Sequence, residues 1–539
     1  MSNETDSQCH RTQPPSPGTT FQEFSAPFSS FDFIERHFAG SLAIRRCFSL
    51  ARSNQDCKTL TVEKIGEMGL LLDENVDLRN RGCFTATDIY RLGFWTVPIS
   101  DNKAFQKVGG DSLYGYAIIK CDGRSQDRAR WYVFESVFRK YDHPHNCVSD
   151  PATYTVNIGS RQFEIPGVLY CQQNGITKAC AHVALRSLLS RILPSRDVSY
   201  AEINAIAAPL AVGGTSSYDP ARGLSADQMR AVLNHFGVAY LDIDYTVGEK
   251  SPGESPMRKF LPYQKLVYSG VESGYGAMVG FNMPNPNDPL KPFRHIIPFY
   301  GHTFNKDTWV SDAEPCYFSF KGGGYIPSES WTSSFIGHDD NFGCNFCVPR
   351  LYITPSQADY VIELLHQNVR FNGLKAELAA ISILPELVKF LDKENVWQRR
   401  LEGAFKSPVA QVILRSVCIT PKQYFAHLSQ LEDWLGNRED KRLVEGWASV
   451  PSWPAKMWLV EVSLPQLFPA NERKIGEIVL DATTDFDMSR KIPALSTLMF
   501  ARLPGSYFLQ DVANPSDGGL NLHVWNSCIQ SHVPVLRRM

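Results

Sequence analysis

Nowhere in these 539 residues do about 18 apolar residues run together, so the sequence offers no membrane-spanning helix. Nor is there an excess of basic charge: 54 Lys and Arg stand against 56 Asp and Glu, for a net charge of -2. Without a positive field or a Lys/Arg run, neither nucleic acid nor an anionic membrane is expected as a partner. The first twenty residues, MSNETDSQCHRTQPPSPGTT, lack both the basic start and the apolar core of a secretory signal. The 13 cysteines are odd in number and scattered, which argues against a disulfide framework. The expectation is a reduced, cytoplasmic protein whose cysteines are mostly buried thiols. No repeat of fixed period is present. What is there is ordinary: 43% apolar and 20% charged residues, enough for a sizeable core without a disulfide or metal staple. That excludes a wholly disordered chain, a collagen and a disulfide mini-scaffold. The length suits about three or four structural units.

Along the chain, residues 1–30 are rich in Ser, Pro, Thr and Gln and read as a disordered tail. Residues 31–165 read as an N-terminal α/β domain. Tyr114 to Cys121 and Trp131 to Phe138 form strands there, and a second strand pair flanks Asn157-Ile158-Gly159-Ser160. Residues 166–350 hold the chemistry. Residues 351–450 read as a helical region, including Tyr360 and Ile362 to Leu365. Residues 451–539 bring β-like runs back: MWLVEVSL, KIGEIVLDA and SYFL.

The segment CQQNGITKACAHVALRSLLSRILP, residues 171–194, carries Leu185, Leu188, Leu189 and Ile192 at helical spacing. Pro194 ends the helix, and Thr177 is its expected N-cap after Gly175. Cys180 then falls in the first turn, where unpaired N–H groups and the helix dipole favour negative charge on sulfur. The same N–H groups can stabilise an oxyanion, and Gln172 or Gln173 could add a side-chain amide donor. Taken alone, a cysteine at a helix start is more often a small core residue.

Two capped helices follow, at Ser199-Tyr-Ala-Glu202 and Ser225-Ala-Asp-Gln228, the second closed by Gly237. A strand from Val238 to Tyr245 comes next. In FRHIIPFYGHTFN, residues 293–305, His295 opens a short buried strand that Gly301 closes, a placement that suits a general base. His302 is the rival, read as lying in a loop beyond the strand. In WTSSFIGHDDNFG, residues 331–343, a strand leads into an Asp339-Asp340-Asn341-Phe342-Gly343 turn. A carboxylate there could accept the Nδ1–H of the histidine and fix its tautomer. Asp312 is a competitor.

These residues resemble a papain-like cysteine peptidase, nearest to the bacteriocin-processing (double-glycine-type leader) peptidases. The resemblance rests on Gln173, Cys180, the His295-to-Gly301 strand and Asp339 or Asp340, in that order. It covers residues 166–350, about a third of the chain. The resemblance implies an α+β fold whose central domain packs a nucleophile helix on an antiparallel sheet. A mixed N-terminal domain and a helical plus β C-terminal region flank it. It implies a cysteine-dependent peptidase, isopeptidase or amidase working through an acyl-enzyme on a peptide or protein substrate. The site residues would be Cys180, His295, Asp339 or Asp340, and Gln173, with no metal and no organic cofactor. The alternatives are an inactive papain-like fold serving as a protein-binding module and a transglutaminase-like acyltransferase. Neither substrate identity nor oligomeric state is written in the sequence.

Other constellations are weaker. Cys344-Asn-Phe-Cys347 is one C-x-x-C without a matching second pair, and His143-Pro-His145-Asn-Cys147 is too far off in sequence to complete it by spacing. Asp242 and Asp244 alternate along a strand and read as solvent-facing. Gly322-Gly323-Gly324 lacks the Lys-Ser/Thr of a phosphate loop and reads as a lid or hairpin tip. Trp453 and Trp458 read as core.

Overall fold

A computed structural model describes residues 18–24, 28–55, 57–140, 146–148, 152–174, 176, 179–193, 196–210, 223–247, 261–283, 293–304, 318–320, 323–354, 356–407, 411–431, 442, 453–468, 472–510 and 522–536. The fold is mixed α and β, built on three large sheets that are antiparallel but for one strand pair.

In the first sheet, Leu113–Gly123 pairs with Arg130–Phe138, placing Tyr116 opposite Val137. The sheet has eight strands and runs from Thr19–Glu23 at one edge to Ala152–Ile158 at the other. The hairpin expected around Asn157 is present, and Gly159 turns it with φ +57°, a backbone region that suits glycine. Helices Ser30–His37 and Leu42–Gln55 cover one face, seating Ile34, Phe38 and Phe48 against Tyr90, Phe94 and Trp131. The tail expected over 1–30 is shorter than its composition suggested. Residues 1–17 lie outside the described residues, but Thr19–Glu23 pairs with Thr59–Ile65 and Ser30 begins a helix. The polar composition masked two anchors: Phe24 is buried in the core, and the Phe21 ring lies 5.6 Å from that of Phe105.

The second sheet orders Ala239–Asp244, Ala358–Leu365, Ala277–Met283, Phe293–Phe304, Thr332–Asp339 and Gly343–Pro349. Neighbouring residues of a strand point to opposite faces. Accordingly Ile296 packs with Leu185, Leu188 and Met278 under the helix Cys180–Ile192, whereas Ile297 packs with Leu266 and Val267 of the helix Tyr263–Ser273. The third sheet is built around Val412–Ile419, Met457–Ser463 and Gly476–Asp481 and includes the expected C-terminal strands. Helices Gly373–Val388 and Val396–Lys406 cover one face and Pro421–Leu428 the other.

Two boundaries differ from the sequence reading. The region 351–450 does contain these three helices, but Ala358–Leu365 is a strand inside the second sheet, and Val412–Ile419 is central to the third. Val361, Ile362 and Leu364 are all buried, so the strand is covered on both faces and shows no period-two alternation. Conversely, Gly323–Pro327 leaves the central region to pair in parallel with Val412–Ile419, Tyr325 opposite Val412. The second and third sheets therefore interlock in sequence instead of parting near residue 350. Among the described residues no helix is long and apolar enough to cross a membrane.

Candidate active site

Cys180 is the first residue of the helix Cys180–Ile192, whose side is buried along Leu185, Leu188 and Leu189. The N-cap is Ala179, which offers no side-chain acceptor to the first turn. The expected cap Thr177, with Gly175 and Pro194, lies outside the described residues. The sulfur is half-buried.

His295 is the third residue of the strand Phe293–Phe304, its side chain 12% exposed and its ring edge-on to Phe281 at 5.5 Å. Thr332–Asp339 runs antiparallel beside it and delivers Asp339 and Asp340 at its end. His295 Nε2 lies 3.2 Å from Asp339 Oδ2 and 3.4 Å from Asp340 Oδ1. The sequence left one or the other aspartate as partner; both reach the ring. It also assigned the carboxylate to Nδ1, and that is corrected: both carboxylates lie at Nε2. Cys180 Sγ, a His295 ring nitrogen and an Asp340 carboxylate oxygen all lie within 4.8 Å of one another.

The electrostatics follow from this packing. Burial pushes the His295 imidazolium down, but hydrogen bonds to Asp339 and Cys180 and the charges of Asp340 and Asp339 outweigh it and raise its pKa to about 10. Burial pushes Asp339 up, but its bonds to His295 and to the Asn341 and Phe342 N–H groups prevail and hold it below the usual carboxylate value. Those two N–H groups donate to Oδ1 at 2.8 and 3.1 Å. Asp340, 3% exposed, is pushed up to about 7 by burial, with the neighbouring Asp339 charge adding to it.

Gln173 is half-buried and donates from Nε2 to Asn341 Oδ1 at 3.1 Å, which ties the loop before Cys180 to the aspartate turn. Gln172 is directed elsewhere: its backbone N–H donates to Val133 O and its Oε1 accepts from Val133 N, both at 2.9 Å. His302 is not in a loop. It lies within the same strand as His295, fully buried, with Nε2 2.8 Å from Glu272 Oε1. The strand runs on because Gly301 sits at a register shift inside it and does not end it. Asp312 lies outside the described residues.

No protein-family model, curated protein or solved structure matches the chain. The functional reading therefore rests on these distances.

One thiol, one imidazole and one carboxylate at this spacing could also hold a cation such as zinc, and among the described residues this is the one such group found. Cys344 and Cys347 do not join it; Cys344 is buried and Cys347 exposed. His143 and His145 lie outside the described residues. Asp242 is not simply solvated, since it accepts from Arg230 Nε at 2.7 Å.

The sequence missed the scaffold of the aspartate turn. Arg46, from the helix Leu42–Gln55, donates to the carbonyls of Cys344 at 3.1 Å and Asn345 at 2.6 Å. Buried His338 accepts from Asn345 N at 3.2 Å, and Tyr300 donates to Asn345 Oδ1. Arg46 carried no local signal, because its partners lie almost 300 positions away. Asn341 stood inside a recognised turn and was visible there, whereas Asn345 lies beyond it in the strand Gly343–Pro349.

Proposed function

We propose that the chain is a cysteine-dependent hydrolase with a papain-like core, acting on an amide, isopeptide or thioester carbonyl of a peptide or protein. The observation that carries the reading is the meeting of Cys180 Sγ, His295 and Asp340 within 4.8 Å at the start of a helix. The raised pKa of His295 favours an ion pair in which the ring already holds the thiol proton, and the sulfur attacks the carbonyl carbon. The Cys180 backbone N–H and the second N–H of the Gln173 amide serve the developing oxyanion. The protonated His295, steadied by Asp339 on Nε2, then gives its proton to the leaving amine. Water hydrolyses the acyl-enzyme by the same path in reverse roles, with His295 as base. An amine in place of that water would make the reaction acyl transfer.

The test is active-site labelling. Wild type and Cys180→Ala are treated with a peptidyl electrophile at neutral pH, and the labelled residue is mapped by mass spectrometry. Label on Cys180, lost in the variant, is expected. Equal labelling of both proteins would leave the fold as a binding scaffold without a nucleophile.

A further inference from the structure

The hydrolase reading needs one carboxylate, and the site holds two. Asp339, fixed by the Asn341 and Phe342 N–H groups, is enough to orient the imidazole. Asp340 is surplus to that chemistry, yet it is buried at the centre of the site, with its side chain 3% exposed. Its carboxyl faces Asn341 Nδ2 at 3.1 Å, His295 Nε2 at 3.4 Å and its own backbone N–H. Oδ2 is sealed from solvent and receives no donor from any other described residue. A carboxylate buried with so few donors is costly unless a cation or a proton completes it.

The geometry suits a metal ion. Tetrahedral zinc, with bonds of about 2.0–2.3 Å, sets its donor atoms about 3.3–3.7 Å apart. The 3.4 Å between His295 Nε2 and Asp340 Oδ1 already has that length. Cys180 Sγ, a His295 ring nitrogen and an Asp340 oxygen lie within 4.8 Å of one another, so a donor at that limit has only about 1 Å to move. Thiolate and imidazole donors select zinc over magnesium or calcium, which prefer oxygen alone. Asp339 stands behind the ring as the carboxylate that orients a ligating histidine. Cys180 and His295 are both partly exposed, which leaves the ion a way in. Three protein donors leave a fourth position to water.

We propose that Cys180, His295 and Asp340 hold a zinc ion that switches the hydrolase off, because the ion takes the sulfur and ring lone pairs that the reaction needs. As it binds, the proton shared by sulfur and ring passes to solvent, and removal of the ion restores the nucleophile. The expectation of a metal-free site is thereby limited to the active form. The inference rests on the hydrolase reading for its consequence, but the site itself is tested by binding. Full-length protein, stripped by a chelator and reduced with a phosphine, is titrated with zinc against a chromophoric chelator, and separately with cobalt(II). Cys180→Ser, which keeps the size of the side chain, and Asp340→Asn are run beside it. One zinc equivalent is expected to weaken at least about tenfold in each variant, since loss of a ligand should cost no less than loss of its outer partner. The thiolate-to-cobalt charge-transfer band should disappear in Cys180→Ser. Zinc should also block electrophile labelling of Cys180, and a chelator should restore it. Zinc affinity and cobalt band unchanged in Cys180→Ser, affinity unchanged in a folded Asp340→Asn, or labelling indifferent to saturating zinc overturns the inference. So does peptide hydrolysis that requires zinc, which would make a zinc-bound water the nucleophile. If Asp340→Asn does not fold, Cys180→Ser alone decides. A Cys180-dependent zinc site in a protein whose metal-free Cys180 takes no label upholds the site and discards the hydrolase instead.

Discussion

At the residue scale, two adjacent carboxyls meet one imidazole and are driven apart in character. Asp339 receives three donors, from His295 and two turn N–H groups, and stays ionised. Asp340 accepts from Asn341 Nδ2 at 3.1 Å but is buried beside a charge, and its carboxyl is pushed up to about 7. Environments that separate two like groups assign them different roles. Asp339 is then the residue that orients His295, and Asp340 sets the polarity on the sulfur side. Asp339→Asn is expected to slow Cys180-dependent labelling at pH 7 by about 10²-fold, the lower range of general acid–base contributions, and Asp340→Asn by less than about tenfold. Rates measured with the same electrophile decide it. The reverse order would transfer the orienting role to Asp340.

At the element scale, local chemistry is legible and pairing across the chain is not. Ser225 Oγ accepts from Gln228 N at 3.2 Å, and Gln228 Oε1 accepts from Ser225 N at 2.9 Å, forming the reciprocal cap read from the sequence. Ser225→Ala should cost about 1 kcal/mol in urea denaturation, and a cost near zero would mean the helix Ala226–His235 is held by Met229 and Val232 alone. The Cys180 helix, the His295 strand and the aspartate turn were equally legible, because each is written in fewer than fifteen residues. The strand Ala358–Leu365 was not, since burial on both faces leaves a run that fits helix or strand. His302 was misplaced for a similar reason: Gly301 looked like a stop, but the strand carries it at an irregularity in its pairing. The seat of Arg46 under the aspartate turn arises only where separate elements meet.

At the scale of the whole molecule, the second and third sheets are joined through buried charge. Glu272 of the central region meets His302 at 2.8 Å and Arg415 at 3.2 Å, and Arg415 continues to Glu461 at 3.0 Å. Lys474 links Glu461 at 2.9 Å to Glu477 at 2.6 Å. Beside this balanced chain lie two buried carboxyls with no full cationic partner. Glu363 accepts from Asn372 Nδ2 at 3.0 Å, and Glu377 accepts from Ser416 Oγ at 3.3 Å. Burial raises Glu363 to about 7 and Glu377 to about 8, against about 4.3 for a glutamate in the unfolded chain. The folded state therefore holds these protons when the unfolded state has lost them, and stability falls as pH rises from about 4 through about 8. Glutamine mimics the protonated carboxyl. Glu377→Gln should exceed wild type by about 1 kcal/mol at pH 5 and by about 5 kcal/mol at pH 8.5, given about 1.4 kcal/mol per pH unit for one proton between the two pKa values. Urea midpoints of the two proteins at both pH values measure the difference. A gain that is the same at pH 5 and pH 8.5, or a loss at the higher pH, would mean that Glu377 is already ionised in the fold and that the seam is tuned by the Glu272–Arg415–Glu461 chain instead.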